Sequence, residues 1–288
     1  MKPKKAIITA ANPRQRSLPL QTLIDREGLE RTVLEVLIED TRRAGIEEVA
    51  VVVMPGDEDL YRQSLRAGDE GIQFLPQLTP PGYAQALLSA EAFAGREPFL
   101  HLVGDHIYSG GGESARRLLD IAAAEDCAVS AVQATREHLL PRFGVVGGQP
   151  VRGGRSLYKV ETVREKPTPT EAEQSLVVSG LRSGYYLCFF GMHVLTPSVF
   201  RIIRGLTEHA AGPVSLSAAL DELARQEKYL ALEVGSAHRY DVGVRYGLLN
   251  AQLAIALEGE DREEVLALLV GLLAQRQADA AAEGAAAK

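Results

Sequence analysis

A chain of 288 residues with 46% hydrophobic and 24% charged side chains has an ordinary globular composition, and it is long enough to bury a sizeable core. Its formal net charge of −7 argues against a general binder of nucleic acid or of anionic membranes, because both partners require a basic surface. The charge does not exclude a small anionic substrate, since a few local lysines and arginines suffice to bind one phosphate group.

The cysteine content and the short apolar runs indicate the cellular compartment of the protein. Cys127 and Cys188 lie in apolar stretches without a neighbouring metal-ligating residue, so we interpret both as buried core thiols. A chain without a disulfide framework fits a reducing environment. The apolar run near the N-terminus is too short for a signal peptide, and no segment approaches the roughly 20 apolar residues of a membrane helix. We therefore expect a cytoplasmic protein without a membrane partner.

Short apolar runs alternate with helical patterns along the first half of the chain. The sequence predicts strands at 6–10, 49–54, 72–77, 99–105 and 127–135, and helices at 32–44, 60–68, 83–94 and 114–126. Strand–helix alternation at this pace predicts an α/β fold with a doubly wound, mainly parallel sheet. Ligands of such sheets bind beyond the carboxyl ends of the strands. Ala10, Gln77 and Asp105 should therefore converge on one edge.

The pattern changes in the second half of the chain. Short strands and Gly-rich turns from about 140 to 190 predict an antiparallel lobe or sheet extension that covers the cleft, and helical runs follow at roughly 245–257 and 261–275. We divide the chain into a domain at 1–257, a C-terminal helix at 258–276 and a low-complexity tail at 277–288 that is expected to be frayed or disordered. Apolar residues cover more than one side of the C-terminal helix, so it packs either between subunits of a homo-oligomer or against its own domain.

An ordered set of motifs carries a resemblance to a known family. The stretch FLPQLTPPGYAQALLSAEAFAGREPFLHLVGDHIY is similar to the core of glucose-1-phosphate thymidylyl- and uridylyltransferases, and the family's order continues with FGVV at 143–146, REKP at 164–167, FGMHVLTP at 190–197 and YDVG at 240–243. The similarity spans roughly residues 5–257, and no single motif is decisive. It implies a Rossmann-like nucleotidyltransferase fold. The implied reaction transfers UMP from UTP, or TMP from dTTP, to a sugar-1-phosphate, with glucose-1-phosphate the expected sugar and pyrophosphate released.

The same resemblance implies a magnesium site formed by Asp105 and Asp241. Both follow apolar or β-rich stretches, and two carboxylates are what a hard Mg²⁺ ion needs from a protein when phosphate oxygens and water complete the octahedron. Taken alone, either aspartate is equally consistent with a helix cap or a turn acid. By resemblance Asp105 also belongs to the nucleotide site. Four histidines without paired metal spacing are interpreted as packing or surface residues: His101, His106, His193 and His238.

On the sugar side, the resemblance makes Lys166 a catalytic residue whose ammonium group lies near the sugar phosphate, and it makes Glu165 a partner of sugar hydroxyls. Gly144 and Gly191 would let the backbone approach the sugar. The attacking phosphate is already anionic, so alignment and charge neutralisation would suffice without a general base. A solvated turn lysine and ordinary turn glycines are the alternative interpretation of these positions.

On the nucleotide side, the family's Gln-x-x-x-x-Gly segment corresponds to Gln77 and Gly82, which would hold the pyrimidine base. A glutamine amide presents both a donor and an acceptor to uracil or thymine, and glycine permits close approach of the backbone. Proline and glycine in the same stretch are equally typical of a turn after a strand.

The loop after the first strand departs from the family. There the family has a glycine-rich loop, broadly Gly-x-Gly-Thr-Arg-x-x-Pro, whose backbone N–H groups face the phosphates and which is followed by a lysine. Here Ala10 and Ala11 begin the stretch as expected nucleotide contacts, but the glycines are absent and no lysine follows. Arg16 aligns with the family's catalytic arginine. Arg14 is either a second guanidinium for the triphosphate or a surface residue.

The altered loop leaves more than one function open. The motifs that remain favour an active, Mg²⁺-dependent nucleotidyltransferase. Loss of the loop donors is also consistent with a catalytically silent homologue that binds a nucleotide or nucleotide-sugar for regulation, or with a protein that keeps only the fold to bind a partner.

Overall fold

The structure is a computed structural model that describes residues 2–66, 71–78, 82–153 and 156–286. In chain order its strands are β1 (Lys5–Thr9), β2 (Thr22–Ile24), β3 (Glu30–Thr32), β4 (Glu48–Val53), β5 (Gln73–Pro76), β6 (Phe99–Val103), β7 (His106–Tyr108), β8 (Ala128–Arg136), β9 (Gly144–Pro150), β10 (Leu157–Glu165), β11 (Tyr185–Leu195), β12 (Tyr229–Glu233) and β13 (Arg239–Asp241). Its α-helices are α1 (Val33–Arg43), α2 (Glu58–Gln63), α3 (Tyr83–Leu88), α4 (Glu91–Ala94), α5 (Glu113–Glu125), α6 (Pro169–Ser175), α7 (Ser198–His209), α8 (Leu216–Gln226), α9 (Gly247–Glu258) and α10 (Arg262–Ala286).

Nine of these strands form one sheet in the order β5-β4-β1-β6-β11-β8-β12-β10-β9. The first four are parallel, β11 is antiparallel to both of its neighbours, and β12 is parallel to β8. β10 and β9 complete the sheet as an antiparallel edge. In the parallel half, Thr9 of β1 pairs with Val52 of β4 and with Val103 of β6, so these three strands end at one level. The architecture confirms the predicted α/β fold with a mixed sheet.

Helices cover both faces of the sheet because its central strands are apolar on both sides. Ile8 of β1 points into a core that contains Leu34 of α1 and Leu118 of α5. The preceding residue, Ile7, points into a second core that contains Phe200 of α7 and Leu220 of α8. Successive strand residues face opposite sides, so one short strand contributes to two cores. This arrangement leaves the carboxyl ends of the parallel strands free for a site.

Local capping chemistry fixes where α1 begins. The hydroxyl of Thr32 accepts the amide hydrogen of Glu35, and the carboxylate of Glu35 accepts the amide hydrogen of Thr32 in return. This capping box satisfies two of the donors that a helix start leaves unpaired. Arg42 and Arg43 in the last turn oppose the negative end of the helix dipole. The helix ends at Arg43, one residue before the end of the helix predicted at 32–44.

Some elements differ from those predicted. The predicted helix at 83–94 is divided into α3 and α4, and the predicted strand at 99–105 ends at Val103, so that Asp105 lies in the following turn. The region from 140 to 190 is not a separate lobe, because β11 lies in the middle of the main sheet and only β9 and β10 extend its edge. The predicted helix at 60–68 corresponds to α2, and its last two residues lie outside the described ranges.

The C-terminal helix is longer than predicted. α10 continues past residue 276 to Ala286, and residues 287–288 lie outside the described ranges. Fraying or disorder of the tail at 277–288 stays a prediction. It packs against α9 and leaves several apolar side chains at least 60% exposed: Leu268, Val270, Leu272 and Leu273. Self-association through this helix stays a prediction. Within the described part of the chain, none of the helices combines the length and hydropathy that a bilayer span requires.

Candidate active site

The carboxyl ends of β1 and β6 lie side by side. Gly104, which follows β6, donates its amide hydrogen to the carbonyl oxygen of Thr9 at 2.9 Å. A Cβ at this glycine would lie 2.9 Å from the same oxygen and 3.2 Å from the Cβ of Ala10, so a larger residue would push the two chain segments apart. This close packing brings Asp105 beside the first residues of the loop after β1.

A first cavity of about 350 Å³ opens at this edge. Its lining consists of Thr9, Ala10, Ala11, Asn12, Pro13, Gln15, Pro19, Gln77, Gly82, Tyr83, Ala86, Val103, Asp105 and Pro213. The structure thus brings together five of the residues expected to contact the nucleotide: Ala10, Ala11, Gln77, Gly82 and Asp105. Gln77 Nε2 donates to the carbonyl oxygen of Gly82 at 3.2 Å, while residues 79–81 between them lie outside the described ranges. Apolar walls with a few convergent polar groups are typical of a small-molecule site.

A second cavity of about 890 Å³ adjoins the first. Its lining includes the residues expected on the sugar side and at the metal: Gly144, Glu165, Lys166, Gly191 and Asp241. Further lining residues are His106, Arg142, Phe143, Phe189, His193, Ser217, Arg239, Tyr240, Arg245 and Asn250. The two cavities share Tyr83 and Val103, so they form neighbouring compartments of one cleft.

The two expected metal ligands lie on paired backbone segments, with Asp105 lining the first cavity and Asp241 lining the second. Asp241 pairs with His106 in the short β7–β13 ladder, and Val242 donates its amide hydrogen to the carbonyl oxygen of Asp105 at 3.0 Å. His106 Nδ1 donates to Asp105 Oδ1 at 2.8 Å, and the amide of Gly243 donates to Asp241 Oδ1 at 2.8 Å. Each carboxylate is therefore oriented through one oxygen. The interpretation of His106 as a packing or surface residue does not include its contact with Asp105.

Lys166 has a backbone conformation that is uncommon for a residue with a side chain. Its φ is +48°, in the left-handed region, and its amide donates to the carbonyl oxygen of Phe143 at 2.9 Å. Lys166 Nζ lies 3.8 Å from Glu165 Oε1, and the hydroxyl of Ser217 donates to Glu165 Oε2 at 2.5 Å. Such backbone conformations persist where surrounding structure holds them, often at functional sites. The lysine and glutamate thus present adjacent opposite charges to the second cavity.

Two glycines of this cavity lie where a side chain would not fit. Gly191 has φ +86°, and a Cβ there would lie 3.0 Å from the hydroxyl of Tyr108, which donates to the Gly191 carbonyl oxygen at 2.8 Å. A Cβ at Gly144 would collide with the Ser217 hydroxyl and the Phe189 ring. At both positions the backbone itself, without a side chain, forms the cavity wall.

Tyr83 forms the wall between the two cavities, and buried histidines lie behind it. Its hydroxyl lies 3.5 Å from His101 Nε2, which is also 3.2 Å from the hydroxyl of Thr9. The His101 ring stacks on His193 with centroids 5.7 Å apart. Burial lowers the pKa of both imidazoles, that of His193 to about 3, so both rings are neutral near pH 7. This burial agrees with their interpretation as packing residues.

The altered loop places its arginines outside the cavities. Arg14 and Arg16 are exposed, and neither belongs to the lining of either cavity. Arg16 Nη1 lies 3.5 Å from Asp57 Oδ1, and the hydroxyl of Tyr61 donates to the Arg16 carbonyl oxygen at 2.6 Å. The Arg14 amide donates to the side chain of Asn12, which is part of a local turn. The Arg16 guanidinium, which is expected to contact the triphosphate, therefore faces the Asp57 carboxylate in this structure.

Sequence reasoning missed several lining residues. Tyr83 directly follows Gly82, and Arg239 precedes the YDVG motif by one residue, so closeness to a recognised motif is the signal that could have found them. Ser217 offers no such signal, because it is one of two serines near the start of α8 and only the fold turns it toward Glu165.

An α/β fold with a mixed sheet and a cleft of two adjoining cavities indicates the class of protein. The family model described as Nucleotidyl transferase matches residues 23–258, and the chain belongs to this family. The matched range begins after the altered loop at 10–19.

The relatives are more specific. The UTP–glucose-1-phosphate uridylyltransferase of Streptococcus pneumoniae serotype 4 is 28% identical over 286 residues, which cover 89% of this chain and 91% of the relative. The enzyme of the same name from Streptococcus pyogenes is 29% identical over 92% of each chain. That from Mycoplasma genitalium is 26% identical over 92% of this chain and 97% of its own.

Solved structures show the same fold. A UDP-glucose pyrophosphorylase complexed with UDP-glucose superposes with a TM-score of 0.69 at 22% identity, covering 88% of this chain and 98% of its own. The UTP-bound UGPase from Acinetobacter baumannii superposes with a TM-score of 0.73 at 20% identity, covering 93% of this chain and 99% of its own.

Proposed function

We propose that the protein is a Mg²⁺-dependent uridylyltransferase that transfers UMP from UTP to glucose-1-phosphate and releases pyrophosphate. The observation that supports this most strongly is the pair of adjoining cavities, with Asp105 lining one and Asp241 lining the other at their junction. Joining two phosphorylated substrates requires two neighbouring compartments with charge-neutralising groups between them. The names of the relatives support the choice of UTP and glucose-1-phosphate.

The chain's own residues account for binding and alignment. An oxygen of the sugar phosphate attacks the α-phosphorus, a new P–O bond forms, and the bond to the β-phosphate breaks with pyrophosphate leaving. Lys166 would neutralise charge on the sugar phosphate from the second cavity. Glu165, held through Ser217, would accept hydrogen bonds from sugar hydroxyls. Gln77 and Gly82 would hold the uracil in the first cavity.

The carboxylates at the junction fit Mg²⁺ by their chemistry. Asp105 and Asp241 offer hard oxygen donors, and the bonds from His106 and Gly243 orient one oxygen of each. The described residues contain no cluster of three or more Asp, Glu, His or Cys side chains that could hold a metal ion. This donor set favours an ion that takes its remaining ligands from phosphate and water over a structural zinc site. When bound, Mg²⁺ supplies charge neutralisation and orientation at the phosphates.

A catalytically silent nucleotide-binding homologue is the second candidate. It is favoured by one observation: Arg14 and Arg16 lie outside both cavities while the remaining expected residues line them. Removing a preorganised donor costs on the order of 10²–10³ in kcat, so a loop without its arginines would support little turnover.

A pyrophosphate-release assay on the full-length protein separates the candidates. We expect turnover with UTP, glucose-1-phosphate and MgCl₂, which EDTA abolishes, and lower rates with dTTP, ATP or galactose-1-phosphate. Lys166→Met should lower kcat on the order of 10²-fold, whereas Lys159→Met, at an exposed position of β10, should not.

The contradicting outcome is absence of turnover with every pair of substrates. Calorimetry with UTP and UDP-glucose then decides between the remaining candidates: binding without turnover supports the silent homologue, and absence of binding rejects both.

A further inference from the structure

A side cavity of about 320 Å³ adjoins the second cavity. The wall between them consists of Phe143, Phe189 and Arg239, which line both. On its other side the cavity is lined by Arg136 and Tyr185, near the end of β8 and the start of β11. None of the sequence motifs falls on this far side, and nothing in the proposed reaction uses it.

Arg239 carries a positive charge in this wall. Its Nη1 donates to the carbonyl oxygen of Phe189 at 2.8 Å, and its guanidinium lies 4.4 Å from the centroid of the Phe143 ring. Among the described residues no carboxylate forms an ion pair with this guanidinium, and Asp105 and Asp241 act on it only from a longer distance.

Arg136, an exposed residue, adds a second cation to the side cavity, and no acid among the described residues forms an ion pair with it. Its Nε donates to the hydroxyl of Tyr185 at 2.9 Å, and its guanidinium lies 5.9 Å from the centroid of the same ring. The lining of the side cavity contains no aspartate or glutamate. The guanidinium of Arg182 also lies near this ring, 5.7 Å from the Tyr185 centroid, but Arg182 does not line the side cavity.

Two partly buried arginines elsewhere in the chain are paired with acids. Arg26 lies 3.3 Å from Asp40, and Arg31 forms an ion pair with Asp25. A buried charge is costly unless it is paired and hydrogen-bonded, which explains these two pairs. The guanidinium of Arg239 has no such direct partner among the described residues, so it is available to contact a negatively charged ligand in the side cavity.

We propose that Arg239 and Arg136 form a subsite for an oxyanion, a carboxylate or a phosphate, in the side cavity that continues the second cavity. The anion is either part of the sugar substrate, such as a carboxylate distant from its 1-phosphate, or a separate small anion. Guanidinium groups match both oxyanions in geometry, and charged hydrogen bonds of this kind contribute more than neutral ones. The first of these sources rests on the proposed uridylyltransferase function.

The first experiment compares glucuronic acid 1-phosphate with glucose-1-phosphate, which differ by one carboxylate. Calorimetry and pyrophosphate release are measured on the full-length protein and on Arg136→Met and Arg239→Met. If the anion belongs to the sugar, the wild type should bind the uronic acid at least about 10-fold more tightly, and either substitution should bring the ratio close to one. Arg182→Met, which removes the same charge from the same ring without touching the cavity, should keep the ratio.

The second experiment titrates inorganic phosphate into the same four proteins in the presence of saturating UDP-glucose, which occupies the main cleft. If the anion is a separate ligand, phosphate should bind the wild type and Arg182→Met, and binding should weaken about 10-fold in Arg136→Met. Circular dichroism melting confirms that each variant is folded. Arg136→Met keeps the test valid if Arg239→Met does not fold.

The proposal is overturned if neither the sugar preference nor phosphate binding responds to Arg136→Met, or if Arg182→Met has an equal effect. Failure of the proposed function gives a different result. In that case no pair of substrates is turned over, while the calorimetric comparison of the two sugar phosphates and of inorganic phosphate still reports on the subsite.

Discussion

Val242 donates its amide hydrogen to the carbonyl oxygen of Asp105, at 3.0 Å, and this one bond ties two distant parts of the chain together at the cleft. It extends the β7–β13 ladder, in which Asp241 pairs with His106. Because the ladder is antiparallel, Asp105, which directly precedes β7, and Asp241, the last residue of β13, come to the same edge. The position of both carboxylates is thus set by backbone pairing, whereas their role at a metal is a proposal that mutation can test.

Asp105→Asn and Asp241→Asn should each lower kcat on the order of 10²-fold, because either change removes a negative oxygen donor for Mg²⁺ at the junction of the cavities. Pyrophosphate release at several MgCl₂ concentrations measures the effect, and the Mg²⁺ concentration for half-maximal rate should rise. Asp120→Asn, at an exposed position of α5, is the control and should leave both quantities unchanged. Wild-type rates in either cleft variant would refute the metal site.

The sequence singles out Asp105 after the apolar strand β6 and Asp241 in the YDVG motif, and their role at a metal stays a prediction. The sequence could not predict the contacts of His106 or Arg239, because these depend on which strand pairs with which. β7 and β13 are three-residue strands, too short to give a periodic signal. Only their pairing turns His106 toward Asp105 and places Arg239 in the wall of the second cavity.

Asp40→Asn should change the pH dependence of stability. Burial raises the pKa of the Asp40 carboxyl to about 6, although Arg26 and Arg43 lower it, while Glu39 and Glu258 add to the increase. A folded-state pKa above the unfolded value means that the folded protein binds the proton more tightly. Stability from this group is therefore present at low pH and is lost as pH rises through about 6.

The cost of ionising this carboxyl should reach roughly 3 kcal/mol above pH 6, at 1.36 kcal/mol per pKa unit. Urea unfolding at pH 4.5 and pH 8 measures it: the stability of Asp40→Asn relative to wild type should increase by roughly 2 kcal/mol between these values. Asp120→Asn, at an exposed position of α5, serves as control, because Asp120 is not among the charges that act on Asp40. A constant difference between variant and wild type across this range would show that Asp40 does not titrate as described.

Gly191→Ala should destabilise the protein by roughly 1–3 kcal/mol, because a side chain at φ +86° is strained and its Cβ would press on the Tyr108 hydroxyl. The variant should also raise KM for the sugar phosphate, since this glycine lines the second cavity. Gly205→Ala is a matched control inside α7, where a Cβ meets no atom within 4 Å; it should stabilise by up to about 1 kcal/mol. Equal melting temperatures for the two variants would contradict the strain argument.

The fold illustrates which physical signals a sequence carries. β1, β4 and β6 are continuous apolar runs with helices between them, and this alternation alone predicts a parallel, doubly covered sheet. The same reasoning left an antiparallel lobe or a sheet extension open for about 140–190, whereas the eleven residues of β11 are almost entirely buried in the middle of the sheet. Strand order depends on contacts between segments far apart in the chain, and a local pattern does not contain them.

Replacing Leu272 and Leu273 by Gln should lower the oligomeric state if α10 packs between subunits. Both side chains are more than 60% exposed, and a helix with apolar residues on several sides is expected to bury them against a partner. Size-exclusion chromatography with light scattering measures the mass of wild type and variant. A wild type that is monomeric at all concentrations would instead mean that the apolar surface of α10 stays exposed.

Asp57→Asn should lower KM for the nucleoside triphosphate about 2- to 5-fold, because it releases Arg16 from its ion pair and removes a negative charge beside the loop. The effect is small because the Arg16 side chain is 56% exposed, and ion pairs at such positions contribute at most about 1 kcal/mol. Asp57 makes no side-chain capping bond to α2, so the change leaves the start of this helix intact. Asp59→Asn, which frees the exposed Arg62 one turn away, is the matched control and should leave KM unchanged. If Asp57→Asn and Asp59→Asn behave alike, Arg16 does not reach the triphosphate, and the altered loop takes no part in substrate binding through this residue.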